Sequence, residues 1–390
     1  MKTVCEYNKC TGCMACIQKC PKDAIRLVDS LDANNMFIDV NLCINCSACY
    51  KVCQVNNTPE FYETKYWLQG WHKKENIRNE SSSGGAATAL AMTFILNGGV
   101  VCSCTYKAGE FIFEYANNVN EVKKFGGSKY VKSNPECVYR KNLEILKMGK
   151  SLLFIGLPCQ VSGMKNFIGE KYNSQIYYVE LICHGSPSPK VFEKFLQSNG
   201  INLFDIEDIR FRKKTNFCIS SNDSIYSKIL PDGIQDLYTF TFLNGVTYTE
   251  NCYSCQYART ERIADITLGD SWGSDLSDDE KSKGISLIMC QTEKGYQLVK
   301  ESELHIEPVN REKSIQANKQ LSVPSKMPQE RTVFFEVLKN KRFDYAVYKA
   351  YPKKYIKYRL KKFIYHFKNG GGKINNSASE YCITYLKKNK

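Results

Sequence analysis

The chain has 390 residues, 19 cysteines and a formal net charge of +14, and its length allows two or three domains. It reaches its first cysteine at position 5 without an apolar leader, and no run of about 18 apolar residues follows. These features predict neither a secretory signal nor a membrane-spanning helix. They favour a cytoplasmic protein whose thiols bind metal over a secreted disulfide framework.

Two cysteine runs with the same spacing occupy the first fifty-odd residues. The first is C-x2-C-x2-C-x3-C-P, and the second repeats it except that Gln54 replaces the proline. This spacing is typical of bacterial ferredoxins with two [4Fe-4S] clusters, where the fourth cysteine of each run binds the other run's cluster. We therefore predict a ferredoxin-like domain over residues 1–57. The expected ligand sets are Cys10, Cys13, Cys16 and Cys53 for one cluster, and Cys43, Cys46, Cys49 and Cys20 for the other. Structural zinc also accepts paired cysteines, but two complete runs favour clusters.

Short elements are predicted from here to residue 147. Strands are expected over residues 24–27 and 36–40, and residues 58–80 are interpreted as a polar and aromatic connector. A helix is predicted over residues 86–96, preceded by serines and glycines. The free N–H groups of such a helix start suit an anion, although an ordinary helix cap is the alternative. Strands over residues 100–102 and 111–115 follow, and then a second Gly/Ser loop over residues 124–131.

From residue 151 apolar strands alternate with helices, a pattern that favours a parallel or mixed sheet. The segment over residues 206–246 has alternating patterns and is predicted to be rich in strands. We therefore predict an α/β (α+β) core with a mixed sheet, with an N-terminal part over residues 65–147 and a C-terminal part over residues 148–315. The remaining predicted strands cover 151–155, 176–182, 263–273 and 284–290, and the helices cover 161–167, 190–197 and 294–300.

Four further cysteines stand at turn positions of this core. Cys159 and Cys183 follow predicted strands, and Cys252 and Cys255 form a CxxC pair. Open α/β sheets place their sites at the carboxyl ends of strands, and four thiolates suit a third [4Fe-4S] cluster or a zinc ion. The remaining cysteines are interpreted as small buried hydrophobes. His184, beside Cys183, is a candidate catalytic proton donor, with a hydrogen-bonded structural role as the alternative.

Five short motifs in a fixed order resemble one known family. They are Ser82-Ser83-Gly84-Gly85-Ala86, Gly127-Ser128-Lys129-Tyr130, Gly156-Leu157-Pro158-Cys159-Gln160, Cys252-x2-Cys255 and Ala264-Asp265-Ile266-Thr267-Leu268-Gly269-Asp270. Over about residues 65–310 the chain is similar to the coenzyme F420 hydrogenase/dehydrogenase beta-subunit family. That family includes 7-hydroxymethyl chlorophyll a reductase and many bacterial proteins linked to surface-polysaccharide synthesis. A ferredoxin module is a common amino-terminal addition.

The resemblance implies an FAD-dependent iron–sulfur oxidoreductase. The chain has no G-x-G-x-x-G and no Walker A motif, consistent with a flavin held without a Rossmann fingerprint. In this interpretation Lys129 pairs with an anion and nearby serines donate hydrogen bonds. The positions implied to contact flavin are Ser82, Ser83, Gly84, Gly85, Ser128, Lys129, Tyr130, Pro158 and Gln160.

The implied chemistry joins one-electron clusters to a two-electron flavin. The substrate would be a small molecule or coenzyme, either F420-like or from a surface-polysaccharide pathway. The expected protein partner is an electron donor or acceptor, such as a ferredoxin or a partner subunit. A non-catalytic electron-transfer subunit that feeds another enzyme is the alternative function.

The positive charge is concentrated near the carboxyl terminus, where residues 339–390 contain 15 lysines and arginines against two acidic residues. A basic amphipathic helical tail is predicted over residues 330–390. Such a helix suits an anionic membrane surface and would bring the protein to the inner face of the membrane. Packing of its apolar face on the body of the protein is an alternative, and nucleic-acid binding is the least favoured. That face contains Ile356, Leu360, Phe363, Ile364 and Phe367.

Overall fold

The structure is a computed structural model that describes residues 2–220 and 234–368 of the chain. Within these ranges a small cysteine-rich domain precedes a mixed α/β core, as the sequence predicts. The end of the predicted basic tail, from residue 369 onward, lies outside the described residues.

The amino-terminal domain consists of two similar halves around a three-stranded antiparallel sheet. In sheet order the strands are β1 (Lys2–Thr3), β3 (Asn34–Ile38) and β2 (Ile25–Asp29). Each cysteine run turns into a short helix, α1 (Ala15–Lys19) or α2 (Ala48–Val52). Both helices follow a residue in the left-handed conformation, and both end at the fourth cysteine of their run. The local geometry therefore repeats with the sequence.

An eight-stranded mixed sheet forms the core. From edge to edge its strands are β11 (Leu304–Pro308), β4 (Tyr66–His72), β10 (Ser286–Cys290), β9 (Ile266–Asp270), β8 (Ile176–Leu181), β7 (Leu152–Gly156), β5 (Val100–Lys107) and β6 (Glu110–Ala116). The pairs within β9, β8, β7 and β5 are parallel, and the other pairs are antiparallel. Strand β7 is a continuous apolar run because both of its faces are buried.

Helices pack around this sheet, and their start points position several site residues. They are α3 (Glu75–Glu80), α4 (Ala86–Leu96), α5 (Tyr139–Lys147), α6 (Pro158–Ile168), α7 (Pro189–Ser198), α8 (Leu237–Leu243), α9 (Asp278–Ser282), α10 (Glu293–Glu301) and α11 (Arg311–Ala317). Helix α4 has the predicted bounds. Helix α6 begins at Pro158, earlier than predicted, because proline suits the first turn of a helix.

Two predictions of secondary structure are wrong. The connector predicted over residues 58–80 contains β4, which lies between β10 and β11 inside the sheet. The segment over residues 206–246 was expected to form strands, yet its described part contains the helix α8. The side chain of Asp236 caps this helix by accepting a hydrogen bond from the Thr239 N–H at 2.6 Å. Tyr238 and Phe242, one turn apart, are both buried, so packing favours the helix over the alternating pattern.

Three helices end the described chain: α12 (Glu330–Asn340), α13 (Phe343–Ala350) and α14 (Pro352–Lys368). The side of α14 that meets the body of the protein carries Tyr355 and Tyr358, which pack against a buried aromatic cluster. Leu360, Phe363 and Ile364, from the predicted apolar face, stay exposed. Among the described helices, none is long and apolar enough to cross a membrane.

Candidate functional site

The first cysteine group lies beneath the surface, at the boundary between the two domains. Cys10, Cys13, Cys16 and Cys53 are all buried and line one small cavity, so the fourth cysteine of the second run joins the first three of the first run. Burial raises the pKa of Cys13 to about 12, and the neighbouring sulfur of Cys53 adds to this shift. Thiolates bind iron, so cluster loading must remove protons from this cavity.

The second cysteine group lies at the protein surface. Cys46 is exposed and Cys43 and Cys49 are partly exposed, whereas Cys20 is buried at the end of α1. Burial raises the pKa of Cys49, and the nearby sulfurs of Cys20 and Cys43 raise it further. These influences indicate that Cys20 lies beside the second run, where the ferredoxin spacing predicts it.

The third group brings together cysteines from three separate parts of the core. Cys159 lies in the first turn of α6, Cys183 follows β8, and Cys252 and Cys255 belong to a turn before β9. All four line one cavity of about 130 Å³. The pKa of Cys183 is raised to about 12 and that of Cys255 to about 11, mainly because both thiols are buried.

The polar side chains of this cavity suit a group with negatively charged sulfurs. The hydroxyl of Thr249 lies 3.5 Å from the Cys252 sulfur, and the Asn251 amide nitrogen lies 3.8 Å from it. The ammonium of Lys132, a buried residue, also faces the cavity. Hydrogen bonds and cations near cluster sulfurs stabilise the additional negative charge of the reduced cluster.

Four thiolates around one cavity suit either a single zinc ion or a [4Fe-4S] cluster. Tetrahedral zinc draws four ligands to within about 2.3 Å of one point, whereas a cubane cluster takes one thiolate on each of its four irons.

The first group and the core group are direct neighbours. Thr11, Gln54 and Val55 line both cavities. The Lys132 ammonium donates a hydrogen bond to the Thr11 carbonyl oxygen at 2.8 Å, which ties the first cysteine loop to the core. A Cβ atom at Gly163 of α6 would stand only 3.1 Å from the Cys13 sulfur, so this glycine permits the close approach of the two domains.

The two Gly/Ser loops that the family resemblance singled out contact each other. The Ser128 N–H donates to the Ser82 hydroxyl at 2.9 Å, and the Ser83 hydroxyl donates to the Ile285 carbonyl oxygen. Helix α4 begins at Gly85, which has a left-handed conformation and offers no capping side chain. The first N–H groups of an uncapped helix, together with its positive dipole end, form a good anion site.

The cations at this site differ from the expected one. Lys129 donates to three carbonyl oxygens of its own loop, those of residues 125, 126 and 127, so all three ammonium protons are already used. Arg212 and Lys214 stand at the first loop instead. Arg212 donates to the Ser82 carbonyl oxygen at 2.7 Å and forms an ion pair with Asp270. Lys214 donates to the Ser83 carbonyl oxygen at 2.9 Å.

Aromatic rings accompany these cations. The guanidinium of Arg212 lies 5.1 Å from the ring centre of Phe217 and 5.7 Å from that of Trp272. Tyr130 stacks on Phe242 with ring centres 4.3 Å apart. Burial lowers the pKa of Lys214 to about 8, and the nearby positive charges of Arg78 and Arg212 contribute to the shift. An anion bound here would therefore be matched by cations beside planar apolar surfaces.

The remaining predicted residues lie closer to the core cysteines. Pro158, Gln160 and His184 all line the core cavity. The Gln160 amide nitrogen donates to Ser133 at 3.0 Å, and its oxygen accepts from the Leu157 N–H, so the side chain holds the start of α6 in place. Burial lowers the pKa of His184, and its other charged neighbours are Asp270 and Arg212. His184 therefore lies between the core cysteines and the cationic cleft.

Three cations that matter here were missed from the sequence. Arg212 lies in a segment interpreted as a strand, and Lys132 and Lys214 lie outside any motif. Lys132 directly follows the second Gly/Ser loop, three residues after Lys129, and this was the only indication of it in the sequence. Their roles depend on tertiary contacts across more than a hundred residues of chain.

Family models match three stretches of the chain. A 4Fe-4S dicluster domain matches residues 9–57. The N-terminal and C-terminal models of the coenzyme F420 hydrogenase/dehydrogenase beta subunit match residues 67–136 and 149–312, and together they span more than half of the chain.

Two individual proteins are also similar. An uncharacterized ferredoxin-like protein of Haemophilus influenzae is 35% identical over 71 residues, which cover 16% of this chain and 78% of that protein. A chain from a structure titled "Xenon derivatization of the F420-reducing [NiFe] hydrogenase complex from Methanosarcina barkeri" is 14% identical. That match covers 68% of this chain and 97% of the other, with a TM-score of 0.45.

Proposed function

The chain belongs to the coenzyme F420 hydrogenase/dehydrogenase beta-subunit family, and from this premise we propose that it is an iron–sulfur flavoprotein oxidoreductase acting on a small substrate. When bound, the clusters supply one-electron transfer and FAD supplies two-electron transfer. The observation that carries the proposal is the convergence of four core cysteines on a cavity that touches the first ferredoxin cysteine group.

We propose that the core cavity holds a third [4Fe-4S] cluster on Cys159, Cys183, Cys252 and Cys255. All four thiols line one cavity of about 130 Å³, and they are the ligand type and number that a cubane cluster needs. Lys132 and the polar groups around Cys252 would stabilise the reduced form of that cluster.

The flavin is proposed to bind at the cleft between the two Gly/Ser loops. Its phosphates would meet the uncapped start of α4 together with Arg212 and Lys214. The exposed ring of Trp272 offers an apolar surface beside these cations. His184 lies between this cleft and the core cysteines, and burial lowers its pKa, which favours the neutral imidazole.

The three cysteine groups are proposed to act as a series from the surface to the cleft. The second run lies at the surface, the first run lies below it, and the core cavity comes next. The family's hydrogenase subunits suggest that the external partner is a redox protein or a partner subunit. The substrate is proposed to be a small two-electron acceptor or donor of the kind this family uses.

Cofactor analysis of anaerobically purified protein tests the proposal. We expect about twelve irons per chain, as three cubane clusters require, and one FAD. Cys159→Ser should remove about four of these irons and leave the two ferredoxin signals in the EPR spectrum. Cys137→Ser changes an exposed cysteine outside the three groups and serves as the matched control. About eight irons in the wild type would contradict the third cluster.

The flavin site needs a separate variant, because iron content says nothing about it. Lys214→Met should lower FAD retention while leaving the iron content unchanged, whereas Lys213→Met, at the exposed neighbouring position, should not. Since the Lys214 pKa is about 8, the ammonium is charged below that pH, and FAD affinity should fall as the pH rises through 8. Clusters without any flavin after reconstitution would instead favour the alternative function, an electron-transfer subunit.

A further inference from the structure

A fifth thiol lines the cavity of the first cysteine group. Cys5 lies outside both cysteine runs, yet it is buried and stands in the same cavity wall as Cys10, Cys13, Cys16 and Cys53. In this cavity the Cys5 side chain is within hydrogen-bonding reach of the side chains of both Cys10 and Cys53. The ferredoxin spacing already assigns four thiolates to the four irons, so Cys5 is left without an iron of its own.

The backbone around Cys5 is held firmly in place. The Thr3 hydroxyl donates to the Cys5 carbonyl oxygen at 2.7 Å, and the Val4 N–H donates to the Met36 carbonyl oxygen at 3.0 Å. The Asn56 amide nitrogen donates to the Val4 carbonyl oxygen at 2.9 Å. Asn56 follows Cys53 closely, so this bond fixes Cys5 relative to a cluster ligand. The position of the thiol is therefore a constrained feature of the domain.

Only the buried cysteine group has this additional thiol. Cys5 stands five residues before the first run, and at the same distance before the second run stands Ile38, which has no polar group. Ile38 is also buried, so the position that corresponds in sequence carries a hydrocarbon side chain. The two halves of the domain, otherwise alike in local geometry, differ in whether a hydrogen-bond donor faces the ligand sulfurs.

We propose that Cys5 is a non-ligating thiol that donates S–H hydrogen bonds to the Cys10 and Cys53 ligands and raises the reduction potential of the buried cluster. Reduction adds a negative charge to the cluster and its thiolates, and a donor aimed at those thiolates stabilises that state. The effect would make transfer from the surface cluster to the buried one more favourable. The inference requires only the clusters of the ferredoxin domain, and it is independent of FAD and of the third cluster.

The test compares Cys5→Ala, Cys5→Val and Cys5→Ser in full-length protein purified with its clusters. Each variant is analysed for iron and titrated electrochemically with EPR detection, and the buried-cluster signal is identified as the one that Cys46→Ala leaves in place and Cys16→Ala removes. Cys290→Ala, which alters an equally buried thiol far from the cavity, is the matched control. We expect unchanged iron content in all variants.

The alanine and valine variants lack the donor, so the reduction potential of the buried cluster should fall by about 59 mV. This corresponds to about a tenfold shift of its one-electron equilibrium toward the oxidised state. The serine variant keeps a donor and should shift it less, and the surface cluster should not change. Valine fills the volume if the alanine variant folds poorly. Loss of about four irons in the alanine and valine variants would identify Cys5 as a cluster ligand. Unchanged reduction potentials would show that the Cys5 thiol only fills space. Either result overturns the proposal.

Discussion

The two cysteine runs have nearly the same sequence spacing, but they occupy opposite environments. In the first run Met14 is 6% exposed, whereas in the second run Ile44 is 57% exposed, and Leu42, which immediately precedes that run, is 53% exposed. The polar Thr11 occupies the position that corresponds to Ile44. At this position the buried run carries the smaller and more polar residue, whereas at the next connecting position the order is reversed, with Met14 in the buried run and Ser47 in the exposed run. Because Leu42 and Ile44 are apolar and exposed, we expect the exposed run to be the contact surface for a redox partner and the buried run to be an internal connection.

The contacts of the two runs explain how this difference arises. The first run meets α6 at Gly163, and its Cys13 carbonyl oxygen accepts a hydrogen bond from the Tyr139 hydroxyl. Its Thr11 carbonyl oxygen accepts a hydrogen bond from Lys132, which also lines the core cavity. The second run meets the core mainly behind its helix, where Asn166 donates to the Val52 carbonyl oxygen at 3.3 Å. The same ligand motif can therefore lie in a buried or an exposed environment, depending on which face of the ferredoxin-like domain packs against the core.

The largest expected effects come from the removal of one cysteine ligand from each run. Cys16→Ala and Cys46→Ala should each cost about four irons, because each removes one ligand of a cubane cluster. Only Cys16→Ala should also destabilise the fold, by about 2–5 kcal/mol, since it leaves an unfilled cavity between the two domains. Iron analysis and thermal unfolding followed by circular dichroism under anaerobic conditions measure both effects. Equal melting temperatures for the two variants would contradict the difference in burial.

A substitution in the core that replaces no cysteine tests whether the contact with α6 affects the buried run alone. Gly163→Val should destabilise the protein by about 1–3 kcal/mol and perturb the EPR signal of the buried cluster alone, because the added methyl groups press on Cys13 and Tyr139. Chemical denaturation and EPR spectroscopy measure the two effects. Lys51→Ala, on the exposed helix α2, is the control and should change stability by no more than about 0.5 kcal/mol. A perturbed surface-cluster signal in Gly163→Val would contradict the arrangement.

The sequence predicted features that depend on local pattern. The ferredoxin module and the family resemblance are confirmed by the family matches, since their motifs are short and contiguous. The parallel strands were predicted from continuous apolar runs, and helix α4 from its Ser/Gly start. Strand β4 was missed because its mixture of aromatic and polar residues, including Gln69 and His72, resembles a loop, although both of these side chains are buried in the core.

Features that depend on docking were not predictable from the sequence. Which cysteine run is buried follows from the face that meets α6, and no local pattern encodes this face. Lys129 was expected to bind an anion, but its own loop carbonyls use its protons, and the cations at the first loop come from distant segments. The alternating residues around Tyr238 predicted a strand, yet the cap at Asp236 and burial of one helical face favour α8.

A substitution at Ile44 should have the smallest effect on stability, and it tests the exposed run most directly. Ile44→Asp should change stability by no more than about 0.5 kcal/mol and leave the iron content unchanged, because the side chain is already in solvent. It should nevertheless slow reduction by a protein donor, because a charge at the centre of an apolar contact surface must be desolvated on docking. Stopped-flow reduction by a small ferredoxin measures this rate.

Two controls separate docking from electron uptake in that experiment. Reduction by dithionite, which needs no protein contact surface, should proceed in Ile44→Asp as in the wild type. Met148→Asp adds the same charge at an exposed apolar residue of the core, at the end of α5, and should not slow reduction by the ferredoxin. If both aspartate variants slow the reaction equally, the cause is net charge, and the exposed run is not the contact surface. If only Ile44→Asp slows it, the apolar residues around the second run are where the partner binds.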